Sequence, residues 1–128
     1  MKELSMAVLV RNGKVLIQKR YRRAKGMVFE FPGGSVDEGE SGEVAARREL
    51  MEETGITGLS VLGSRSLTNE YGGKIHYIVF EAKQNSKPVE VDPVRKQTFH
   101  WFDLDGIPTS DFYEADIHFI KHELGNFT

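Results

Sequence analysis

The run PGGSVDEGESGEVAARRELMEETGI, from Pro32 to Ile56, constrains the chain most, because it delimits a helix at both ends and loads one face of it with acid. Pro32 closes a short apolar run, and the pair Gly33-Gly34 lets the backbone turn sharply or approach a ligand closely. Ser41 is a suitable N-cap, since its hydroxyl oxygen can accept an orphan N–H of the first turn, and Glu43 complements the positive helix end. The spacing predicts a helix over 42–54, with Gly55 as a left-handed stop. At about 100° per residue, Ala45, Glu49, Glu52 and Glu53 fall within an arc of roughly 100°, while Ala46 and Leu50 continue toward an apolar side. Like charges at i,i+4 weaken a helix by roughly a few tenths of a kcal/mol per pair, so the clustered carboxylates need a reason.

Two reasons compete. One is a solvated acidic stripe, with Arg48 neutralising Glu52 at i+4 in a surface ion-pair network. The other is a set of hard oxygen ligands for Mg²⁺ or Mn²⁺, a cation that shares its shell with substrate phosphates. The Pro-Gly-Gly break upstream, and a further acid, Glu40, at the loop exit, favour the second.

The rest of the chain reads mainly as strands. Residues 4–10 and 15–18 are aliphatic and β-branched runs joined by Asn12-Gly13, a hairpin signal because both residues tolerate positive φ. The segment KRYRRAK, with Lys19, Arg20, Arg22, Arg23 and Lys25 around Tyr21, is expected to be a loop. Residues 29–31 form a short strand, and 59–68, 75–82 and 98–102 carry strand character. Residues 115–124 read as a closing helix after the Gly106-Ile107-Pro108 break. Strands flanked by two helices imply an α/β (α+β) fold, a mixed β-sheet packed between α-helices, with no linker or internal repeat.

Bulk properties narrow the partners. A formal charge of −2 gives the surface no strong field for nucleic acid or acidic membranes, so no nucleic-acid or membrane partner is expected. The chain has no cysteine, which excludes disulfides and Cys-based zinc sites and fits a reducing cytosol. Without a signal-peptide core or an apolar run approaching the ~20 residues of a membrane span, cytoplasmic residence is the expectation.

From Gly34 to Ile56 the sequence fits Gly, five residues, Glu, seven residues, Arg-Glu-aliphatic, any, Glu-Glu, any, Gly-aliphatic. Gly34, Glu40, Arg48, Glu49, Leu50, Glu52, Glu53, Gly55 and Ile56 fill every fixed position. This resembles the signature box of the Nudix hydrolases, and a chance match in so short a chain is on the order of one in ten million or rarer. VLIQKR, FEFPGG, HWFDL and EADIHFI are similar to segments of the MutT-like branch, so the resemblance covers nearly all of residues 1–128 and implies a single Nudix domain.

Members of that family cleave a nucleoside diphosphate linked to another moiety by attack of water on phosphorus. The resemblance implies that Glu49, Glu52 and Glu53 bind the cation and serve catalysis, with the Gly33 carbonyl as a further ligand. Glu53 is preferred as principal metal ligand and Glu49 as general base. It implies Arg20 as a phosphate contact, places Glu30 and Gly33 with the substrate ligands, and sets Asp116 where the nucleobase is read. Asp116 also admits an N-cap role. Arg48 is read as the partner that orients Glu49 or Glu52 in preference to a direct phosphate ligand. Glu40 ties the loop to the helix or orients the metal's surroundings, and Gly34 and Gly55 are backbone requirements.

Trp101 is expected in the core. His118 and His122 stand at i,i+4 without a metal-binding spacing. Some family members supply an extra acid before the last strand, whereas here PVRKQTFHW offers Arg95 and Lys96 with no Glu, and only Glu90 and Asp92 lie nearby. The expected activity is a pyrophosphohydrolase, leading from a nucleoside triphosphate, oxidised or not, to monophosphate and pyrophosphate. ADP-ribose or dinucleoside polyphosphate hydrolysis is the alternative, and Tyr71 bears on the latter. A non-catalytic nucleotide sensor is disfavoured because every box carboxylate is kept. The expected assembly is a monomer or homodimer.

Overall fold

A computed structural model describes residues 2–69, 71–91 and 93–128, and the side chain of Arg95 is also outside the description. Asp92, one of the two acids near the last strand, therefore lies outside the described residues. The sheet begins with β1 (Leu4–Arg11) and β2 (Lys14–Arg22), joined by Asn12 at φ 52° and Gly13 at φ 75°. Two successive positive-φ residues give the turn that matches strand twist, as the Asn-Gly pair predicts. Next come β3 (Gly26–Glu30), β4 (Gly33–Ser35), α1 (Gly42–Thr54), β5 (Ser60–Thr68), β6 (Lys74–Glu81), β7 (Thr98–Asp103) and α2 (Glu114–His122).

The central strand order is β3-β2-β1-β6-β5, with β4 on β1 and β7 on β2. The β1–β6 pair is parallel and the others antiparallel, so the sheet is mixed. β1 divides its free edge. Its first half pairs with β4, Ser5 opposite Gly34 and Met6 opposite Gly33, and its end pairs with β2. This split delivers the Pro-Gly-Gly break into the sheet beside the start of α1, where Ser5 Oγ donates to the Gly42 carbonyl at 2.6 Å.

Strand periodicity then sorts the core onto two faces. Ala7 and Leu9 on β1, with Leu16, Ile78 and Phe80, pack against Ala46 and Leu50 of α1. Val8 and Val10, with Val15, Ile17, Tyr77 and Val79, pack against Phe119 of α2 and the following Leu124. The sheet is thus sandwiched between the helices, as the sequence implies.

Three expectations are corrected. KRYRRAK is not a loop throughout: β2 continues to Arg22, paired from Lys19 opposite Phe29 to Arg22 opposite Gly26, and only the residues after it turn. Backbone pairing on both sides of Lys19 holds the charged half extended, and charge does not weaken a ladder whose side chains reach solvent. Trp101 is half-buried, and the Arg11 guanidinium lies 4.3 Å from its ring centroid. Asp116 is not the N-cap of α2, a position held by Tyr113. No helix among the described residues is long and apolar enough to cross a membrane.

Candidate active site

α1 forms as its caps dictate. Ser41 Oγ accepts the Val44 N–H at 3.1 Å, and Gly55 at φ 80° donates its N–H to the Met51 carbonyl. The helix lies with Ala46 and Leu50 on the sheet, which turns Glu49 and Glu53 toward β4 and leaves Glu52 half-exposed. Gly34 makes room for this arrangement, since a Cβ there would lie 2.6 Å from the Glu49 carboxyl carbon. Gly33 is required by the sheet, because its Cβ would stand 2.4 Å from the Ser5 carbonyl oxygen.

Each acid is held by a protein donor. Glu53 is 2 % exposed, and its Oε2 accepts the Gly33 N–H at 2.7 Å while Oε1 accepts Gln18 Nε2 at 3.3 Å. Arg48 is the hub for the others. Its Nε and Nη2 clamp the two oxygens of Glu40 at 2.8 and 2.9 Å, Nη2 also reaches the Ser35 carbonyl, and Nη1 donates to Glu49 at 3.1 Å and Glu52 at 3.3 Å. This planar two-pronged contact holds the Glu40 carboxyl at about 2, below the ordinary range, with the Asp37 N–H adding in the same direction. Arg48 thus pairs with Glu52 at i+4, bonds Glu49 and fastens the 37–40 loop to α1.

A cavity of about 500 Å³ opens beside this face, and Gly33, Gly34 and Glu49 are among the residues that line it. Arg20, Arg22, Glu30 and Asp116 also line it, with Tyr71 and Tyr113. The structure thus gathers Glu49, Gly33, Gly34, Arg20, Glu30 and Asp116 around one space. Arg22 Nε donates to Glu30 Oε2 at 2.5 Å, and the Tyr77 hydroxyl donates to Asp116 Oδ1 at 2.6 Å. Burial pushes the Asp116 carboxyl up to about 6, the Tyr77 hydrogen bond opposes the rise, and the nearby charge of Glu30 adds to it.

The donor set suits a hard divalent cation, being three carboxylates and a backbone carbonyl beside a pocket that Arg20 and Arg22 also line. Gly34, which leaves space at the Glu49 carboxylate, fits the same use. The three acids are not drawn into one cage, however: among the described residues no group of three or more acidic or imidazole side chains is gathered closely enough to hold a metal. Each acid has its own protein donors: Arg48 holds Glu49 and Glu52, while the Gly33 N–H and Gln18 hold Glu53. His118 and His122 have ring centroids 4.7 Å apart on α2 and gather no third ligand among the described residues.

Four participants escaped the sequence reading: Gln18, Gln97, Tyr77 and the pairing of Arg22 with Glu30. Gln18 left a trace, as the one polar residue closing the apolar run Val-Leu-Ile of β2. Tyr77 and Gln97 left none, because their partners are distant in sequence.

The family model described as NUDIX domain matches residues 1–122. Among similar proteins, the oxidized purine nucleoside triphosphate hydrolase of Danio rerio is 34% identical over 120 residues, covering 91% of this chain and 75% of that protein. The RNA pyrophosphohydrolase of Caulobacter vibrioides is 54% identical over 52 residues, 41% of this chain, a match spanning only 30% of that relative's length. The crystal structure of a MutT NUDIX hydrolase from Burkholderia pseudomallei superposes with a TM-score of 0.70 at 27% identity, covering 96% of this chain and 97% of the other.

Proposed function

The chain belongs to the NUDIX family, and from that premise we propose that residues 1–128 form one catalytic domain hydrolysing a phosphoanhydride of a nucleoside diphosphate linked to another moiety. The leading substrate is a nucleoside triphosphate, with an oxidised purine first among the bases. The observation that carries this is a cavity whose lining brings Glu49 and the glycine pair together with Asp116 and Glu30. Its volume lies within the range for small-molecule sites. The Danio rerio relative, similar over most of the chain, supports the choice of triphosphate.

Family members generally use divalent metal ions. Here Glu49, Glu52, Glu53 and the Gly33 carbonyl would hold Mg²⁺, or Mn²⁺, which when bound would supply charge neutralisation of the diphosphate and activation of water near neutral pH. Glu49, which lines the cavity, accepts the proton of the attacking water. Arg20 holds a phosphate oxygen, and Arg48 keeps Glu49 aimed by bonding it from the helix side. Asp116 accepts a hydrogen bond from a purine N–H or amine, while Arg22 keeps Glu30 fixed beside it. On this reading the domain works on soluble nucleotides in the cytoplasm, as a monomer or homodimer.

A second reading is favoured by Tyr71, which is 79% exposed at the cavity and offers a ring on which a second base can stack. That geometry suits a dinucleoside polyphosphate. Phosphate and pyrophosphate release with Mg²⁺ across nucleoside triphosphates, oxidised purine triphosphates, ADP-ribose and dinucleoside polyphosphates separates the two. Silence across the whole panel would sink both and favour a nucleotide sensor. Glu53→Gln is expected to lower turnover at least about a hundredfold with circular dichroism unchanged; near-normal turnover would remove Glu53 from the site.

A further inference from the structure

We propose that Gln18 and Gln97 are positioning residues, a directional pair of buried amides that aims the Glu53 carboxylate. The inference rests on the metal-binding reading above. Gln18 is 1% exposed and Gln97 4%, on β2 and on the segment just before β7. Gln97 Nε2 donates to Gln18 Oε1 at 2.8 Å, and Gln18 Nε2 donates to Glu53 Oε1 at 3.3 Å.

The polarity of this chain is forced. An ionised carboxylate only accepts, so Gln18 must turn its NH₂ group to Glu53 and its oxygen away, and Gln97 must then turn its own NH₂ group to that oxygen. Gln97 Oε1 is left buried with no hydrogen-bond partner among the described residues, a cost accepted to keep the donor pointing inward.

The residue types matter as much as the bonds. A lysine or arginine at either place would pair with Glu53 and compete with any cation for its charge. An acid would repel it. Apolar side chains would pack this interior at least as well, which makes stability alone a poor reason for two buried amides. Neutral donors orient the carboxylate and add no charge of their own beside it. The Gly33 N–H fixes the other oxygen, so both oxygens of Glu53 are held from the protein side. The segment before β7, where the sequence offers no glutamate, thus contributes to the site through Gln97.

The test is Mn²⁺ affinity of the nucleotide-free protein, read by electron paramagnetic resonance, beside the thermal midpoint. Gln97→Met keeps volume and removes the donor, and its Mn²⁺ dissociation constant should rise about tenfold, with Gln18→Met weaker still. Unchanged Mn²⁺ affinity with only a lowered midpoint would assign both glutamines to packing and overturn the proposal. In the wild-type chain, Mg²⁺ should shift the side-chain amide resonances of both glutamines, and resonances that stay still would overturn it even where a variant does not fold. Failure of the wild type to bind Mn²⁺ would overturn the metal reading as well, whereas wild-type binding with unaffected variants rejects the positioning role alone.

Discussion

Asp116 carries the sharpest consequence at the scale of single residues. Its carboxyl titrates near 6 in the folded chain because burial disfavours the charge. The unfolded chain titrates near the ordinary value of about 4, so between the two the folded state binds more protons and stability falls as pH rises. The sign is opposite to that of a salt-bridged carboxylate, and the size is on the order of 3 kcal/mol at most. Denaturant unfolding from pH 4.5 to 7 should therefore show a decline in the wild type that Asp116→Asn lacks. Parallel curves would place the titration elsewhere. Substrate binding should follow the other direction: if the carboxylate accepts from the base, KM falls as pH rises through about 6, and this slope too disappears in Asp116→Asn.

At the scale of elements, α1 was legible almost to the residue, and the reason is local. Its N-cap, first-turn acid and αL stop each act within a few residues, so the sequence alone places them. Gly55 sits at φ 80°, and Gly55→Ala is expected to cost about 1 kcal/mol, seen as a lower thermal midpoint with the panel of hydrolysed substrates unchanged. No loss would mean that the helix end relaxes without its left-handed residue. β2 was legible only in its apolar half. Its charged half, Lys19 to Arg22, is extended because β3 lies alongside it and β7 also reaches Lys19, and neither partner is apparent from the basic run itself. The split pairing of β1 is hidden for the same reason, though it brings Gly33 and Gly34 to the helix face.

For the whole molecule, ligand linkage gives the test. A cation that binds the folded chain and not the unfolded one stabilises it by about 2.7 kcal/mol at a hundred times its dissociation constant. Mg²⁺ should raise the thermal midpoint, chelator should reverse the rise, and both effects should shrink in Glu53→Gln. A midpoint indifferent to Mg²⁺ and chelator would leave the acidic face without its cation.

What the sequence by itself determined is whatever depends on neighbours along the chain: the hairpin turn, the capped helix, the face shared by Glu49, Glu52 and Glu53, and the box whose fixed spacing marks the family. What only the tertiary structure decided is how those acids are held and what surrounds them. Glu53 meets Gln18 across 35 residues, Tyr77 meets Asp116 across 39, and Gln97 meets Gln18 across 79. Such pairs exist only once strands have paired and helices have packed on both faces, because hydrogen bonds act over about 3 Å while a sequence pattern records only separation along the backbone.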